Sequence, residues 1–144
     1  DLRMYLMMKY AADGIKAYIS VNKALVTQSS AAIPIVPLYI SILYKVMKEK
    51  GVHEGCIEQM YRLFAEKFGA DGKPVSGAVD GEGRIRLDDL EMKPEIQDEV
   101  TKLWNILNAD NFKEYTDIEG YWKDFYELFG FGIDGVDYEA DVEV

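Results

Sequence analysis

The chain has 144 residues, enough for one ordinary domain with a real core, and 49% of them are hydrophobic. Its formal charge of −10 argues against a nucleic-acid backbone as partner, and its single cysteine, Cys56, excludes an internal disulfide and suits a reducing, cytoplasmic compartment. The N-terminus lacks the basic start and small-residue cleavage site of a signal peptide. Charge is uneven: residues 1–69 hold nine Lys/Arg against six Asp/Glu, and residues 70–144 hold seven against twenty. The change falls at FGADGKPVSGAVDGEG, read as a boundary between two structural layers.

In chain order, residues 2–12 read as the end of a helix, with Gly14 just past it. AYISVNKALV alternates as a strand does and then runs into a loop. Pro34 and Pro37 precede or open a helix from about Ile35 to Lys50, stopped at Gly51. Residues 54–68 form an amphipathic helix whose Ile57, Met60, Tyr61, Leu63, Phe64 and Phe68 share a side. Arg84–Leu87 is expected as a short strand, residues 93–107 and 117–129 as helices, and the tail VDYEADVEV as extended chain.

The run from Ala31 to Leu43 has no charge, yet it is shorter than a membrane span and ends at Lys45, Lys48 and Lys50, so no stable membrane insertion is expected. Ser41, Lys45 and Lys48 make one narrow polar stripe on that helix. One apolar face comprises Val36, Ile40, Leu43, Tyr44 and Met47; the other comprises Ile35, Tyr39, Ile42 and Val46. Such a helix must be covered on most sides. It is either a central core helix or a helix with one face on the core and one lining an apolar ligand cavity.

Several motifs read as coincidence. Tyr5–Lys9, Tyr44–Lys48 and Tyr39–Lys48 have spacings used by reductases, but short motifs recur by chance among ten tyrosines. GFGIDG, Gly130 to Gly135, has dinucleotide-loop spacing, yet a helix precedes it where a strand is needed and acidic chain follows. His53 and Cys56 lack the further ligands of a zinc site. DGEGRIRLDDLE places Ile85 where a calcium loop requires glycine. Tyr121, Trp122, Phe125, Tyr126 and Phe129 read as core.

VTQSSAAIPIVPLYISILYKVMKEKGVHEGCIEQ, with RIRLDDLE, TDIEGYWKDF and FGFGIDGVDYEADV, resembles the single-chain, NADH-dependent trans-2-enoyl-CoA reductases, which also act as enoyl-ACP reductases. The resemblance covers essentially the whole chain and about the last third of that family. It implies an α/β, Rossmann-type fold related to short-chain dehydrogenases, helix-rich and with few strands in this chain. Residues 1–69 would supply the last strand and substrate-binding helices of the catalytic domain, and residues 70–144 an acidic, mainly helical C-terminal segment. It implies NADH as cofactor, met by Leu25, Val26 and Thr27, and an acyl thioester of CoA or ACP as substrate, met by an apolar wall of Ile40, Leu43, Tyr44 and Met47. No metal is implied. The catalytic Tyr-x8-Lys pair and the glycine-rich nucleotide loop would lie upstream of Asp1, so the partner is the rest of the reductase chain, and the chain alone is expected to be inactive. Some descriptions of the family call the C-terminal part flavin-binding; these residues give no support for a flavin. The alternative is a non-catalytic module that binds lipid or protein through the 35–50 helix.

Overall fold

The computed structural model describes residues 2–141. The chain runs through α1 (Leu2–Tyr10), a 3-10 turn (Ala11–Asp13), β1 (Ile19–Val21), α2 (Gln28–Ala32), α3 (Val36–Glu49), α4 (Cys56–Glu66), β2 (Arg84–Arg86), α5 (Pro94–Ile106), α6 (Phe112–Tyr115) and α7 (Ile118–Glu127). The helix ends follow local chemistry. Gly51 takes φ 68 after α3, and its N–H reaches the Lys48 carbonyl. Proline opens α5, where a missing N–H costs nothing. The Asp117 carboxylate caps α7 by accepting the Gly120 N–H. β1 and β2 pair in parallel, Ile19 opposite Arg84 and Val21 opposite Arg86. The chain is therefore helix-rich α/β with a small parallel sheet, and no helix among the described residues is long and apolar enough to cross a membrane.

Three local expectations are corrected. The long helix starts at Val36 because Pro37 occupies its first turn and Ile35 turns the chain into it at φ 74. A β-branched residue is strained there, and among the described residues Ile35 is the only non-glycine with positive φ. Two short helices, α2 and α6, have too few residues to show an apolar period. The tail is not extended over residues 136–141: the Val136 N–H bonds the Ile133 carbonyl and the Ala140 N–H that of Asp137, closing turns. The remainder of that tail lies outside the described residues.

The chain forms two compact units. One comprises Asp1–Ala24 and Val52–Gln97, the other Leu25–Gly51 and Asp98–Val144. In the first, Ile85 on β2 and Leu87 just after it are buried in a core with Ala78 and Ile96. In the second, α3 packs on α7, and Ile40, Ile42, Leu43, Tyr44, Val46, Met47, Val100, Leu103 and Tyr121 are buried. Both apolar faces of α3 are thus inside from Ile40 onward, while Val36 and Tyr39 are half-buried and Ile35, before the helix, is exposed. Ser41, expected on the polar stripe, is buried too: its hydroxyl donates to the Leu38 carbonyl 2.9 Å away, which spares it an unpaired group.

Candidate functional site

The first unit holds a polar network at the carboxyl ends of its parallel strands. Gln59, fully buried on α4, accepts the Lys23 N–H at 3.1 Å and donates to the Leu87 carbonyl at 3.0 Å and to Glu54. Arg62, one turn on, donates to the same Leu87 carbonyl and pairs with Glu54 at 2.8 Å and Asp89 at 2.7 Å. Burial alone would lower the Arg62 pKa; the hydrogen bonds it donates to Glu54 and Asp89 outweigh it and hold the guanidinium charged. The buried Glu91 carboxylate accepts the Ala24 N–H at 2.7 Å. HEGCIEQ therefore has a structural reason: Glu54, Gln59 and Arg62 tie down the chain leaving β1 and β2. A signal was present in the sequence, since Gln59 and Arg62 lie three apart on one helix side with Glu54 just before it.

In the second unit, Val26 is buried, Leu25 half-buried and Thr27 exposed. Thr27 caps α2 in a reciprocal box: its hydroxyl oxygen accepts the Ser30 N–H at 2.9 Å, and its own N–H donates to the Ser30 hydroxyl at 2.8 Å. The Ser30 hydroxyl also donates to the Leu25 carbonyl. The segment is thereby fixed with the Thr27 side chain at the surface, and a hydroxyl that accepts one bond can still donate another. Sequence reasoning missed this cap, although T-Q-S-S carries its signature.

The four candidates for the acyl wall, Ile40, Leu43, Tyr44 and Met47, come together on α3 and are essentially without exposed surface. The Tyr44 hydroxyl is engaged within the unit. Burial pushes its pKa up, the Asp124 carboxylate and a hydrogen bond to it push the same way, and a bond with the Val26 backbone opposes them. Lys48 Nζ sits 5.6 Å from the Tyr44 ring centre and pairs with Asp117. This is the reverse of a lysine-activated proton donor, whose pKa must come down. No sequence pattern links Tyr44 to Asp124 or Lys48 to Asp117, which meet only through the packing of α3 on α7.

The remaining motifs resolve locally. Lys9 lies over the Tyr5 ring on an exposed face of α1. Asp80, in the acidic loop before β2, is filled by its own neighbours: it accepts the Glu82 and Arg84 N–H groups and the Arg84 guanidinium. Gly130, Gly132 and Gly135 take φ of 80, 71 and 84, as tight turns after α7 require. Of the five aromatics expected in the core only Tyr121 is fully buried; Trp122, Tyr126 and Phe129 stay substantially exposed and meet Phe125 edge to face along and just after α7.

This fold and these segments are similar to a portion of known enoyl thioester reductases. The family description "Trans-2-enoyl-CoA reductase catalytic region" matches residues 3–68, and "Enoyl reductase FAD binding domain" matches residues 79–142. The chain is 60% identical over 132 residues to the trans-2-enoyl-CoA reductase [NADH] of Ruminiclostridium cellulolyticum, covering 91% of this chain and 32% of that protein. It is 58% identical over 129 residues to the enoyl-[acyl-carrier-protein] reductase [NADH] of Coxiella burnetii, covering 90% and 31%. Its structure superposes on that of Clostridium acetobutulicum trans-2-enoyl-CoA reductase in complex with NADH with a TM-score of 0.84 and 47% identity, covering 99% of this chain and 35% of the other. The chain belongs to the trans-2-enoyl-CoA reductase family and spans about a third of the length of the relatives it matches.

The flavin in one family description finds no fit among the described residues of that segment, 79–141. A dinucleotide needs unpaired N–H groups at a helix start beside a glycine loop. Here Asp117 closes the start of α7, α5 opens with Pro94 and Glu95, and the glycine turns follow a helix and lead into acidic chain.

Proposed function

We propose that this chain is the C-terminal portion of a cytoplasmic, NADH-dependent reductase of trans-2-enoyl thioesters, carried on CoA or ACP, in fatty-acid metabolism. The observation that carries the reading is the likeness, across 99% of this chain, to a reductase solved with NADH. In the complete protein β1 would be a late strand of a Rossmann-type sheet, with residues 1–69 ending the catalytic domain and residues 70–144 forming the acidic helical segment. NADH would supply a hydride to the β-carbon of the enoyl thioester. Leu25, Val26 and Thr27, at the carboxyl side of β1 where open α/β sheets take ligands, would hold its nicotinamide end, with the free proton of the Thr27 hydroxyl as donor. The pyrophosphate contacts and the proton-donating tyrosine belong to the rest of the polypeptide.

Ile40, Leu43, Tyr44 and Met47 remain the proposed acyl wall. Their burial adds a condition: an acyl chain reaches them only by displacing packed side chains, so substitutions there act on stability and chain-length preference together. A lipid- or protein-binding module built on α3 is disfavoured, because Ile40, Leu43, Tyr44 and Met47 on one face and Ile42 and Val46 on the other are already buried. The test is NADH oxidation by the complete protein with crotonyl-CoA and with a crotonyl-ACP. Turnover with either supports the reading, and none with both overturns it.

A further inference from the structure

α4 is inside out. Its polar residues Gln59 and Arg62 are buried, while Ile57, Tyr61 and Phe64 are 82%, 73% and 71% exposed. Together with Cys56, Met60 and Ala65 they line an apolar groove of about 600 Å³. An amphipathic helix ordinarily turns its apolar side inward. Here it cannot roll, because Gln59 is bonded to Lys23 and Leu87, and Arg62 to Glu54, Asp89 and Leu87. Releasing those partners would strand buried charge and a buried carbonyl. The orientation is fixed from the polar side, and the apolar side needs a cover from elsewhere. Three neighbouring large apolar side chains left in water are the mark of an interaction surface.

We infer that the Ile57–Tyr61–Phe64 face of α4 is covered by the remaining two thirds of the same reductase polypeptide, which lays an apolar surface into the groove; this rests on the reading of the chain as part of a longer reductase. The length relation favours that occupant over a second copy. The relatives carry roughly twice as much additional chain as is present here, with this chain spanning only 31–35% of them. The sheet points the same way. A parallel sheet of two strands is not a self-sufficient layer, since such sheets are covered on both faces and continued by further strands.

Cys56, exposed at the first turn of α4, is a built-in probe. In the complete native reductase, alkylation of Cys56 by N-ethylmaleimide, followed at the level of its own peptide by mass spectrometry, should be at least about tenfold slower than in urea, the signature of a position opening only rarely. The protection should not depend on protein concentration. A Cys56→Ser, Phe64→Cys protein should show the same protection at the other end of the face. Alkylation of native Cys56 at the unfolded rate overturns the inference, as does protection that appears only as concentration rises, which would assign the face to a second copy. NADH oxidation by the same preparation reports separately: an active protein with free Cys56 sinks this surface and spares the reductase reading, and an inactive one with protected Cys56 does the reverse.

Discussion

Thr27 carries two roles on one hydroxyl, and they separate by substitution. Its oxygen caps α2, and its proton is proposed to meet NADH. Asparagine is a good N-cap without a hydroxyl, whereas alanine removes both functions. In the complete reductase, Thr27→Ala should raise the KM for NADH by about two- to tenfold, as loss of a hydrogen bond worth ~0.5–1.5 kcal/mol implies, and should also lower the melting temperature. Thr27→Asn should raise the NADH KM while holding the melting temperature. If neither variant changes the KM for NADH, the residue is a cap alone. Asp80 makes a different statement, about acid. Hydrogen bonds from the Arg84 backbone, and then from its guanidinium and the Glu82 N–H, hold the carboxyl pKa at about 2. The unfolded carboxyl titrates near ~3.9, so this contribution is whole above that pH and is lost as pH falls through about 2. Asp80→Asn should therefore flatten the acid limb of stability between about pH 4 and pH 2, read as denaturation midpoint against pH. Parallel limbs in the two proteins would show that the Asp80 turn opens before the rest.

At the level of elements, α4 shows where legibility stopped. Its existence was readable from apolar spacing, but the expected span of 54–68 overran the observed Cys56–Glu66 at both ends; Glu58, whose carboxylate accepts the Gly55 N–H, marks the true start. Its orientation was not readable. Ile57, Tyr61 and Phe64 looked like the inward side because apolar residues normally are, and the partners that turn Gln59 and Arg62 inward sit at Lys23, Leu87 and Asp89, far along the chain. α3 was legible as a helix requiring cover on most sides, but not the burial of Ser41 or the coupling of Tyr44 to Asp124. Replacing Arg62 by methionine tests the α4 anchor: Glu54 and the Leu87 carbonyl would lose their charged partner, and stability should fall by about 3 kcal/mol. An unchanged thermal midpoint in the complete protein would mean Gln59 alone sets the helix. For α3, Leu43→Phe should lower the ratio of kcat/KM for long over short enoyl thioesters. A four-carbon difference is worth about 3 kcal/mol at ~0.8 kcal/mol per methylene, against about 1–3 kcal/mol of overpacking cost in stability. Lys45, half-exposed and paired with Glu49, is the control position. Lost stability with an untouched ratio would make this face of α3 plain core.

For the whole molecule, the decisive contrast is between these 144 residues alone and the complete reductase. The chain holds a two-stranded parallel sheet, an α1 with no buried residue, and an α4 whose apolar side faces water. It contains the segment proposed to touch nicotinamide, but among the described residues no glycine loop is set between a strand and a helix, and Tyr44, with Lys48 four residues on, has its pKa driven up instead of down. The isolated chain should consequently oxidise no NADH with crotonyl-CoA above the protein-free rate, and it should enhance the fluorescence of an anilinonaphthalene dye through its uncovered apolar faces. The complete protein should turn over and bind little dye. The two readouts fail independently. Turnover by the isolated chain would move catalysis onto a tyrosine–lysine pair within it, with Tyr5–Lys9 first in line because both side chains lie at the surface of α1. Cooperative unfolding of the isolated monomer with no dye bound would mean that its two units fold without the remaining chain, and that the exposed side of α4 is an ordinary surface.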